Sequence, residues 1–131
     1  RPTMKPHRIK MTKSQMIDGE WSTTETLCLG DALTEDMSRL RFQNDDEDVL
    51  LSFGPQEVAI KTYTSDGSSQ ALLRLRQTTT GRYIQHDYVI EFAFILNTLH
   101  RDGLNVFIQY DIYQNGEKIA ENSLRTEVIE A

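Results

Sequence analysis

Long apolar runs are missing from this chain, and so is any excess of positive charge. No stretch approaches the roughly 20 apolar residues that a membrane-spanning helix needs, and no signal-peptide pattern is present. Lys and Arg number 14 against 20 Asp and Glu, a formal net charge of −6. That is the wrong sign for a surface that neutralises phosphates, so neither nucleic acid nor a basic membrane-surface mode is expected. The one cysteine, Cys28, can form neither an internal disulfide nor a metal cluster. His7, His86 and His100 show no metal-ligand spacing. Gly30, Gly54 and Gly81 stand alone and make no phosphate loop. No cofactor and no metal are expected.

What is present, in 131 residues, is enough for one domain, expected to be cytoplasmic. Residues 1–7, with Pro2 and Pro6, are expected to be disordered or an expression remnant. Residues 8–131 are expected to form a single β-barrel domain. The pattern behind that reading is period two. Leu104, Val106, Ile108, Tyr110 and Ile112 alternate with Asn105, Phe107, Gln109, Asp111 and Tyr113, and Ile90, Phe92, Phe94 and Leu96 with Glu91, Ala93, Ile95 and Asn97. Val58, Ile60, Thr62 and Thr64 repeat the pattern, and so do Ala71, Leu73 and Leu75. Shorter pieces at Ser38–Gln43 and 49–53 fit it too. Turn signals separate them: Asp18-Gly19, Asp66-Gly67, Asn115-Gly116 and the polar run from Asn44 to Asp48. Residues 30–37 could hold a helical turn capped by Thr34, or a loop. Many short strands at this spacing predict an all-β, antiparallel, up-and-down barrel of about eight to ten strands.

Two hairpins sharpen the register. A plain two-residue loop at Asn115-Gly116 would set an apolar face against a polar one. A longer loop, or a loop plus one bulge, puts Leu124, Thr126 and Val128 on the face of Val106 and Ile108, with Gly116 in the left-handed region. Similar logic at Asp18-Gly19 places Ile9 and Met11 on the face of Trp21, Leu27 and Leu29. It also turns Lys13 and Glu25 to that face, as a rim ion pair or as a polar anchor inside a cavity.

Residues 110–124, from Tyr110 through Asn115-Gly116 to Glu121-Asn122 and Leu124, resemble the last hairpin of the YwiB-like bacterial proteins. The stretch from Glu57 to Leu99 is similar to them in strand order, with Tyr83 ahead of a long apolar strand. The resemblance implies a lipocalin-like, calycin-type β-barrel; no established activity comes with it. This chain departs from the family at Gln85-His86-Asp87-Tyr88, which has neither Pro nor Gly where the family tends to have a Thr-Pro-Tyr-Gly type turn. It departs again in residues 30–37, which are not aromatic-rich.

The inward set mixes aliphatic and aromatic residues with a few polar groups. Lys13, Glu25, Thr62, Thr64, Tyr110 and Thr126 are therefore the candidate ligand-binding residues, and a small, largely apolar molecule is the expected partner. The same pattern fits a closed core whose hydroxyls are satisfied, leaving a surface interaction module as the alternative. A third reading is an enzyme built on Arg82, Tyr83, His86, Asp87 and Tyr88, although His86 and Asp87 could cooperate only in a turn. Otherwise these residues form an exposed turn. His100 with Arg101, Asp102 and Gly103 is read as a structural turn, Cys28 as a small strand or core residue, and the acidic run 45–48 as a solvated loop. No catalytic residue is assigned, and the oligomeric state is open.

Overall fold

The computed structural model describes residues 7–32, 38–43 and 46–130. Ten strands follow in chain order: β1 (His7–Ile17), β2 (Glu20–Ala32), β3 (Ser38–Gln43), β4 (Glu47–Phe53), β5 (Glu57–Thr64), β6 (Gly67–Arg74), β7 (Thr78–Gln85), β8 (Tyr88–Asp102), β9 (Asn105–Gln114) and β10 (Glu117–Glu130). Each pairs antiparallel with its sequence neighbours. β10 closes back on β1, so the meander becomes a closed up-and-down barrel. Closure removes the free sheet edges that an open meander would leave. Among the described residues no helix is long and apolar enough to cross a membrane, which says nothing of strands. His7 already belongs to β1, one residue ahead of the expected domain start. The candidate helical turn ending at residue 37 lies largely outside the described residues; its first part, through Ala32, continues β2.

The inward residues fill one half of the barrel. Ile9, Leu40, Leu51, Phe53, Val58, Leu73, Leu96, Leu104, Val106, Ile108 and Leu124 are buried there as one cluster. Polar groups at this end are satisfied locally. Ser38 is fully buried; its Oγ donates to the Gly103 carbonyl at 2.7 Å and accepts from Arg101 Nη1 at 2.9 Å. The segment after β6 folds across this base: Leu75 N–H donates to the Gln56 carbonyl and Arg76 N–H to the Leu96 carbonyl. The expected strand through Leu75 therefore ends at Arg74, because Arg76 turns the chain with φ 61°.

The last hairpin takes the expected bulged form. Asn115 and Gly116 have φ of 53° and 80°, the signature of a two-residue type I′ turn. The register then shifts between Lys118 and Ala120, leaving Ile119 as the extra residue. Past it Leu124 faces Ile108 and Thr126 faces Val106.

The first hairpin differs from the expectation. Asp18 and Gly19 also form a two-residue turn, with φ of 53° and 79°, but no bulge follows within the hairpin. Ile9 pairs with Cys28, Met11 with Thr26 and Lys13 with Thr24. Side chains alternate with period two, so this register turns Trp21, Glu25, Leu27 and Leu29 to the outside. The three apolar ones are 60%, 57% and 51% exposed. Glu25 sits 3.9 Å from Lys10 Nζ on that outer face, so the expected Lys13–Glu25 pair does not form.

Candidate functional site

The other half of the barrel is hollow. Strand pairing helps to keep it open: among the described residues β2 pairs with β3 only over its last residues, from Leu29 to Ala32. The wall is thus thinner near the β1–β2 turn. A half-open cavity of about 530 Å³ occupies this end. Its floor is made by Phe94 and Tyr110, which belong both to the buried core and to the cavity lining. Their rings meet tilted, with centroids 6.3 Å apart. Higher up, Ile60, Phe92, Ile112 and Ile119 supply apolar wall.

Small residues let the wall pack closely against the floor. Gly81 faces inward on β7, where a Cβ would lie 2.7 Å from the Phe94 ring and 2.7 Å from the Gln70 carbonyl. Only glycine lets that ring and that backbone approach so closely. Ala71, its partner on β6, lines the cavity beside it. The Ile119 bulge contributes in a different way, re-aiming an isoleucine to the mouth where regular alternation would turn it outward.

Polar side chains alternate with apolar ones in the lining. Lys13, Gln15, Thr62, Ser69, Gln70, Arg82 and Tyr83 are partly or well exposed, whereas Tyr110 and Asn122 are buried. Tyr110 and Asn122 are direct partners across β9 and β10. Burial holds the Tyr110 phenol above its ordinary value, and its hydrogen bond with the Asn122 side chain opposes part of that rise. Asn122 is only 4% exposed, yet its Oδ1 has no hydrogen-bond partner. Thr79 Oγ1 is likewise buried without a partner, but Thr79 is not part of the cavity lining.

The six sequence candidates therefore divide. Lys13, Thr62 and Tyr110 line one cavity. Thr64 does not: its Oγ1 accepts from the N–H groups of Asp66 and Gly67, holding the β5–β6 turn. Thr126 is buried at the packed end, where its Oγ1 accepts from Val106 N–H at 2.8 Å and donates to the Leu104 carbonyl at 2.7 Å. It completes the β9–β10 ladder where regular pairing stops, together with Asn105 Oδ1, which accepts from Val128 N–H. Glu25 is outside the barrel. Asn122 is the buried polar member that sequence reasoning missed, and Gln15 and Ser69 are missed members nearer solvent. One further step of the alternation back from Leu124 reaches Asn122.

Of the residues considered for catalysis, Arg82 and Tyr83 reach the cavity lining. His86 and Asp87 form the exposed turn between β7 and β8, followed by exposed Tyr88. His100 and Asp102 belong to β8 rather than to the β8–β9 turn. Cys28 is buried, its Sγ 3.6 Å from the Ile9 carbonyl, and burial pushes the thiol up to about 11. From the acidic run, Asp48 holds Arg41 in a two-point ion pair at 2.9 and 3.1 Å, while residue 45 lies outside the described residues.

No protein-family model matches the chain, and no curated protein matches it. Among solved structures it is similar to the crystal structure of the YwiB protein from Bacillus subtilis. The TM-score is 0.71 over 94% of this chain and 91% of that one, at 12% sequence identity. At that identity the likeness is one of fold, and the fold of this chain is a YwiB-like closed barrel.

Proposed function

We propose that this protein binds a small, largely apolar molecule inside its barrel, in the manner of lipocalin-like carriers and without catalysis. The half-open cavity carries this reading. At about 530 Å³ it falls within the range of small-molecule sites, on the order of 300–1,000 Å³. The surface it offers is mostly apolar, with polar groups among the lining residues to orient a guest. Among the described residues neither Asp nor Glu lines it, and the lining cations, Lys13 and Arg82, are exposed. A neutral guest fits such an interior better than a fatty acid does. Titration with an environment-sensitive apolar dye tests the reading, with Tyr110→Ala and Thr62→Val as probes. Saturable binding weakened by both substitutions supports it; binding that appears only on unfolding, or ignores both, counts against it.

A second reading, an interaction module that works through its surface, draws on the outward apolar residues of β2. Trp21, Leu27 and Leu29 lie on one outer face. The packed core that this alternative assumed is present in only one half of the barrel. Sedimentation across a range of concentrations separates the two: self-association lost in Trp21→Ser, with no dye binding, favours the surface.

A further inference from the structure

Resting on that binding reading, we propose that the guest buries a neutral group that both donates and accepts a hydrogen bond, a hydroxyl or an amide, against Tyr110 and Asn122. The two side chains are paired across β9 and β10, and both line the cavity. Asn122 is nine-tenths buried and more, and its Oδ1 is unpartnered. An unmet buried acceptor costs more than an ordinary hydrogen bond returns, so this position favours a ligand that completes it.

The pair makes the same offer whichever way the Asn122 amide is turned. With Nδ2 donating to the phenol oxygen, the phenol O–H and Oδ1 are left for a ligand. With the phenol donating to Oδ1, an Nδ2–H and a phenol lone pair are left. Either way at least one donor and one acceptor are available. A hydroxyl or an amide matches both. An ether, ester or ketone can only accept, and leaves one acceptor of the pair unmet. A carboxylate has the same defect, and it also brings a charge to the buried cavity floor. Phe92, Ile112 and Ile119 then cover the apolar remainder of the guest.

The test is displacement of the apolar dye from the full chain by decanol, decanamide, decyl methyl ether and decanoate at neutral pH. Decanol and decanamide are expected to displace it at about tenfold lower concentration than the ether, and decanoate to be the weakest. In Tyr110→Phe and in Asn122→Leu the gap between alcohol and ether closes, while the ether binds at least as well as before. Equal displacement by alcohol and ether in the parent chain would mean that water alone serves the pair. That result, or a gap that survives both substitutions, overturns the proposal and leaves the binding reading standing. Failure of the dye and all four compounds to bind overturns both.

Discussion

Tyr110 and Asn122 face each other across β9 and β10 at the floor of the cavity, and the asparagine keeps a buried oxygen with no partner. A site held ready for a ligand carries such a cost in stability. Replacing both residues by apolar ones of similar shape, Tyr110→Phe with Asn122→Leu, is expected to leave stability unchanged or to raise it, within about 1 kcal/mol. Urea denaturation of the double variant checks this. A loss above about 2 kcal/mol would show that the pair holds the fold together rather than serving a guest.

Replacing Gly116 by Val is expected to destabilise the protein by about 1 kcal/mol or more. Its φ of 80° lies in the left-handed region, which a β-branched residue resists. Open space surrounds the position, so the loss comes from the backbone and not from a clash. Denaturation midpoints measure it, and the same substitution at Gly19, with φ of 79°, should cost a similar amount.

Why one hairpin was legible and the other was not follows from those two turns. Both are tight two-residue turns. In the last hairpin the Ile119 bulge shifts the register, and the inward residues beyond it include Leu124 and Val128. Apolar alternation therefore points the right way. In the first hairpin the register runs unshifted from the turn, and the residues that face in on β2 are Thr24, Thr26 and Cys28. Its larger apolar residues face water. Exposed apolar residues are common on folded proteins, so alternation alone cannot say which face is the inner one. The same alternation puts Glu25 inside, whereas its pairing with Thr12 turns it out. Thr64 and Thr126 failed differently: they do lie on inward-facing registers, but their hydroxyls serve backbone groups. Which half of the barrel is packed depends on long-range contacts such as the segment near Leu75, which folds across the base onto Gln56 and Leu96.

Ile108 has no exposed surface and sits in the packed half. Truncation to Ala is expected to cost roughly 2–5 kcal/mol, through lost burial and a void its neighbours cannot close. A loss below about 0.5 kcal/mol in chemical denaturation would contradict the inward assignment of β9.

Cys28 should resist thiol reagents at neutral pH until the protein unfolds, being 6% exposed with its thiol pushed up to about 11. The pH dependence has a definite sign. The folded state holds this proton more tightly than the unfolded chain, whose thiol titrates at about 9. Its contribution is complete below pH 9 and is lost as pH rises through about 11. Tyr110, also raised by burial, adds to the same loss in alkaline solution. Cys28→Ala should make stability fall less steeply between pH 9 and 11; an unchanged slope would contradict the burial argument.

The binding reading is tested most directly by residue-resolved NMR during titration with decanol. Amide shifts are expected to cluster at residues lining the open half, among them Thr62, Ser69, Phe92, Tyr110 and Asn122. Leu40, Phe53 and Leu104 in the packed half should stay still. Saturable shifts confined to that set are the predicted result. Shifts centred on Trp21, Leu27 and Leu29, or none short of unfolding, would contradict it.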